Sequence, residues 1–330
     1  MAPDLLVSDS HSRSVDSGQL TALKDWVTWV KLAGLTLVLS VLFTFDFWRL
    51  TVSAAFFGNP LGWVLLALVA SVLFGSFTLA STWSGWRQWT AVFLVFYGVP
   101  YVLTVAEAPY LPSVLTASLI ADVLVNGAII AGVFAAVLVT LLGRAVPDVP
   151  VRRSRLVMPA GEWAWKLLSA GAVYLTLFFV FGEAVYAPLA RAVDSAAYAA
   201  EQAAIPSSGA ALVFPIEYLR GVLFAVFAAP AIMALPYSWR KTGAFVALLI
   251  SLPESALILL STTLAPGLVL PHFVEVLGAN LVLGLVIVWI LQRRDRLPSL
   301  TDLPRKVLAS WAEEAAPGVS REKGIRSRAL

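Results

Sequence analysis

The chain has 330 residues and a net charge of +3; 59% of it is hydrophobic, only 13% is charged, and its mean hydropathy is +0.84. That balance lies outside the range of water-soluble domains and places the chain in the membrane class. It has no cysteine and two histidines, which excludes disulfides, thiolate metal sites, redox pairs and helices with paired zinc-binding histidines.

Residues 1–25 are polar and mildly acidic. They lack the basic start, short apolar core and small-residue cleavage site of a signal peptide, so this segment is expected to be a flexible cytoplasmic lead and the first helix to be retained. Eight apolar runs follow, each long enough to cross a hydrocarbon core about 30 Å thick. They are 26–45, 61–81, 88–105, 113–142, 164–188, 215–236, 242–262 and 271–291. Each is read as a helix, because lipid offers no partner to an unpaired backbone group. The fourth exceeds one crossing and is expected to tilt or to extend past one interface. The fold class is therefore all-α, a polytopic transmembrane bundle of about eight spans.

The order of elements is compatible with two four-helix halves, residues 26–145 and 163–292, joined by a basic linker over 146–162. Both halves open with aromatic and lysine residues ("WVTWVKLAG" and "EWAWKLLSAG"). Both close with an acid, an asparagine and a basic exit: Asp122, Asn126 and Arg144 in one, Glu275, Asn280 and Arg293 in the other. An even number of helices per half makes any such repeat parallel rather than inverted. Residues 293–330 form a basic tail, in which Leu303, Val307, Leu308 and Trp311 could line a short helix resting on anionic lipid through Arg305 and Lys306.

Basic residues orient the bundle. With both termini cytoplasmic, eighteen Lys and Arg fall on the inner side and only Arg49 and Arg191 on the outer, a strong positive-inside bias that closes only with an even number of spans. Lys31 and Lys166 lie about a turn inside the inner ends of the first and fifth spans, where their stems are expected to snorkel to the interface. Trp26, Trp29, Trp83, Trp86, Trp89, Trp163, Trp165, Trp239 and Trp289 fall near the inner interface, and Trp48 and Trp63 near the outer one. The localisation that follows is a cell (inner or plasma) membrane, multi-pass.

Within the last four spans lie Glu183, Glu217, Arg220, Glu254, His272 and Glu275. A charged group at the bilayer centre costs about 2.5–3.5 kcal/mol on insertion scales, so such residues face a bundle interior and find partners. Asp122 and Asn126 share a face at i,i+4 spacing in the fourth span, Asn280 lies inside the eighth, and Glu107 ends the third. Topology places nearly all of them in the outer half, which points to a polar cavity open to the outside. Glu217 and Arg220 could neutralise each other, or Arg220 could clamp Glu254 or Glu275 across helices. His272 and Glu275 could shuttle protons, hold a metal or form an ordinary interfacial pair. With so many acids against Arg220, desolvation and like-charge repulsion should keep at least one carboxyl protonated, Glu254 first because it is deepest. Which metal, if any, would bind is left open by this donor set.

The end of the chain, with "YLRG", "LPHFVE" and "AN" followed by Gly284, resembles a bacterial family of multi-pass membrane proteins of unassigned function through Arg220, Gly221, His272, Glu275, Asn280 and Gly284. "IEYLRGVLF" is also similar to the Glu-Glu-x-x-x-Arg helix of intramembrane CAAX-type glutamyl proteases. It departs from that helix in Ile216, in a Glu-to-Arg spacing one residue short, and in having no second histidine. No phosphate-binding loop or Gly-x-Ser-x-Gly elbow is present. The sequence thus favours a transporter- or permease-like protein for a small solute, ion or lipid headgroup, with Glu254 responsive to protons or cations, Arg220 an anchor and His272 with Glu275 a gate. An intramembrane enzyme at the outer leaflet and a non-catalytic assembly subunit are the alternatives. Expected partners are the bilayer and that solute, with no nucleic acid, no cofactor, and a possible homo-oligomer through Gly127 and Ala131.

Overall fold

A computed structural model describes residues 25–293 apart from 48, 54–57, 111–114, 146–155, 157, 205–206 and 262–263. The expectations for the leading segment, Trp48, most of the linker and the basic tail lie outside the described residues.

Helix α1 (Trp26–Phe43) starts where the Asp25 carboxylate accepts from the Val27 amide at 3.1 Å. A short hairpin follows, β1 (Phe45–Asp46) pairing antiparallel with β2 (Thr51–Val52). Asn59 caps α2 (Pro60–Ala80), whose proline sits where the missing N–H is harmless. Helix α3 (Gly85–Tyr97) runs into a π-helical segment, Gly98–Leu103, and α4 is Ala117–Leu141. Helix α5 (Ala160–Phe181) ends in a second π-helical segment, Gly182–Tyr186, which leads into α6 (Ala187–Ala204). Helices α7 (Ser207–Ala234), α8 (Trp239–Leu259) and α9 (Pro266–Gln292) complete the bundle.

Among the described residues seven helices are long and apolar enough to cross a membrane, as an all-α bundle requires. The third expected span is not one of them: α3 stops after 13 residues, and the chain continues with a wider turn that contains Pro100. A proline removes one ladder hydrogen bond, and a π turn accommodates the loss. Residues 187–204, mostly expected as a loop, are helical, amphipathic and kinked at Asp194. The Asp194 carboxylate accepts from the Ala197 amide at 2.9 Å and lies beside Gly267 at the start of α9, where a carboxylate suits the helix dipole.

Glycine sets the closest crossings. A Cβ on Gly221 of α7 would stand 2.9 Å from the Gly171 Cα of α5, and one on Gly284 of α9 would stand 2.4 Å from the Ala247 Cα of α8. Backbones therefore touch where lipid gives helices little other reason to associate. Gly127 faces the Tyr101 ring of the same chain and Ala131 is buried in the core, so both serve internal packing. One apolar core runs through the bundle and includes Phe74, Phe77, Phe134, Phe224 and Leu249. Helix α2 packs on α8 and α3 on α7, so helices from both ends of the sequence share it.

Lys166 corrects a sequence expectation. Instead of reaching toward an interface it is fully buried, 2.7 Å from the Glu162 carboxylate, and its ammonium donates to the Leu291 carbonyl at 3.3 Å. The closing turn of α9 offers unpaired carbonyls and a negative dipole end, which hold a cation more firmly than snorkelling would.

Candidate functional site: one buried arginine among three carboxylates

Arg220 is placed by the α5–α7 crossing, next to Gly221. Its Nη1 is 2.5 Å from Glu107 and 2.8 Å from Glu217, and its Nη2 is 3.6 Å from Glu254. The three carboxylates come from the turn after the first π segment, from α7 itself and from α8. The guanidinium also lies over the Tyr174 ring of α5, 5.5 Å from its centroid. Tyr110 donates its hydroxyl hydrogen to Glu217, and the Asn280 amide donates to Glu254 at 2.6 Å. Glu217 is wholly buried and Arg220, Glu254 and Asn280 nearly so, whereas the Glu107 side chain keeps 25% of its surface exposed. Three acids share one base, and the Arg220 Nε has no hydrogen-bond partner among the described residues.

Two titrating groups of this cluster lie outside the spans. Burial pushes the Glu107 carboxyl up, against the opposing pull of the Arg220 charge. Burial also pushes the Tyr110 hydroxyl up, and the neighbouring Glu107 adds to the effect.

His272 and Glu275 form a second station on the same side. The His272 Nδ1 is 2.9 Å from a Glu275 carboxylate oxygen, and Glu275 lies against Gly182 of the second π segment. The Tyr186 ring meets the imidazole edge-on at 5.4 Å, while its hydroxyl donates to Glu201 of α6.

Other expected site residues go elsewhere. Asp122 and Asn126 do share a face of α4, but they hold the β1–β2 hairpin: Asp122 pairs with Arg49, and the Asn126 amide donates to Asp46 at 3.0 Å. Arg49 also pairs with Asp46 at 3.1 Å. Glu183 is exposed, and no described residue pairs with it. Among the described residues no three His, Asp or Glu side chains converge as metal ligands do. A groove of about 380 Å³ at the other end of the bundle, lined by Trp239, Arg240, Leu285, Val286 and Trp289, contains no carboxylate.

The chain matches no family model, no curated protein and no solved structure. The likenesses drawn from residues 216–284 thus rest on those residues alone.

Several members of the site carried little signal in the sequence. Glu107 marked the end of a span, and only the packing of the first π segment against α7 and α8 brings it to Arg220. Tyr110, Tyr174 and Tyr186 are uncharged and cost little to place in or near a membrane, and Glu201 lies outside the apolar runs. A count of charged residues inside apolar runs passes over all four.

Proposed function

We propose that the chain is a permease-like carrier of the cell membrane with both termini cytoplasmic, α3 and the π segment after it together making the eighth crossing, and that it moves a small solute in exchange for changes of charge at the Arg220 cluster. The observation that carries this reading is the surplus of acids over bases around Arg220, recruited from three separate elements. Ionised, Glu107, Glu217 and Glu254 leave an excess of two negative charges beside one guanidinium. A buried site tolerates such an excess only when protons or cations fill it. A group that must bind and release a positive charge is what coupled transport needs. The bias of Lys and Arg supports the orientation, as do the exposed Trp26, Trp29, Trp86, Trp165, Trp239 and Trp289 at one end of the bundle. On that orientation the Arg220 cluster and the His272–Glu275 pair lie in the outer half.

The test is flux in reconstituted vesicles. Protein is inserted with a pH-sensitive dye and a sodium-sensitive dye inside, and amino acids, organic acids and amines are added one class at a time. At least one class is expected to drive ion entry in the wild type. Glu254→Gln should abolish that entry while the protein melts at nearly the wild-type temperature, because glutamine still accepts from Asn280. No solute-dependent ion movement in the wild type, or undiminished movement in Glu254→Gln, overturns the carrier reading.

A further inference from the structure

We infer that the cation bound at this site is a proton, taken up by Glu107, which it detaches from Arg220. The inference rests on the carrier reading and names its coupling ion.

A metal ion has no seat in the cluster. The region on which Glu107, Glu217 and Glu254 converge is already filled by the Arg220 guanidinium, at 2.5, 2.8 and 3.6 Å. Sodium placed among those oxygens would rest against a full positive charge. A proton needs no seat, since it joins a carboxylate oxygen directly. Of the three acids, Glu107 is the one open to exchange: it alone lies on a turn outside the helices and keeps a quarter of its side-chain surface exposed, against 0% for Glu217 and 8% for Glu254.

The proton comes from water at that exposed edge of Glu107: an O–H bond of hydronium breaks as one forms on the carboxylate oxygen, and neutral water leaves.

Every charged or titratable group facing the acceptor fits this assignment. Helix α7 presents Glu217 and Arg220, α8 presents Glu254, α9 presents His272 and Glu275, α5 presents Tyr174, and the turn itself presents Tyr110. Arg220 is the one permanent cation of the set. Once Glu107 is neutral, the guanidinium is left to Glu217 and Glu254. Its Nε, buried with no acceptor among the described residues, is a donor that can re-pair. Proton uptake thus loosens the turn 106–110 from the bundle and transfers Arg220 toward α8.

Infrared difference spectra of the full chain in lipid nanodiscs test this without any transported solute. As pH falls, a protonated-carboxyl band is expected to appear, unchanged by added sodium chloride and missing in Glu107→Gln but retained in Glu254→Gln. In Glu107→Asp the band should shift rather than vanish, and this variant serves where Glu107→Gln fails to fold. A band quenched by sodium, or a band that persists in Glu107→Gln and stands unshifted in Glu107→Asp, overturns the inference. Flux without such a band refutes the proton assignment alone. The band without flux refutes the carrier reading alone.

Discussion

Arg49 and Arg220 each bind carboxylates from other parts of the chain, and the two sites nearly match in composition. Arg49 joins Asp46 of the hairpin to Asp122 of α4; Arg220 joins Glu107, Glu217 and Glu254. They differ in what surrounds them. The Arg49 side chain is 55% exposed, that of Arg220 only 5%. An exposed guanidinium is hydrated whether paired or not, so its ion pairs add little; a buried one has no other solvent than its partners. The hairpin site is therefore a clasp, and the Arg220 site a charge that the bundle must balance.

The largest effect is expected at Arg220. Replacing it with leucine leaves Glu217 and Glu254 buried without their cation and should cost about 3–5 kcal/mol, read as a large fall in melting temperature in detergent. Stability close to wild type would mean that the carboxylates are already neutral and that the comparison is drawn wrongly. Next comes the crossing that places Arg220. Gly221→Ala drives a methyl group against the Gly171 backbone and the Ala170 carbonyl, neither of which can rotate away, for a loss of about 1–3 kcal/mol. The smallest effect belongs to the clasp. Arg49→Ala should cost about 1 kcal/mol or less, and the difference from wild type should shrink as salt is raised, since exposed charges are screened. A salt-independent loss of several kcal/mol would place Arg49 with Arg220.

The sequence makes the helices legible because lipid demands about 20 apolar residues per crossing. It also pairs neighbours on one helix correctly: Glu217 with Arg220 and His272 with Glu275 follow from i,i+3 spacing. Partners across helices depend on rotation about each axis, which spacing alone does not give. Arg220 reaches Glu254, one of the two clamps considered, and not Glu275. Glu183 shows why faces are hard to assign near a π turn. The segment Gly182–Tyr186 carries extra residue per turn and shifts the helical phase, so a residue counted on an inward face emerges outside. Asp122 and Asn126 read as cavity residues because the hairpin they hold occupies only two residues per strand, too few to leave a pattern.

Lys166 and the Leu291 carbonyl stand 125 positions apart. During synthesis α5 therefore emerges long before the helix end that receives its ammonium group exists. Until then Glu162, one turn earlier in the same helix, is the counter-charge at hand, and the lysine can face water at the bilayer rim. The arrival of α9 exchanges that hydrated state for a buried one. The last described helix thus completes a charge carried by an earlier one, and a bundle lacking α9 keeps an exposed cation by which it differs from the finished protein.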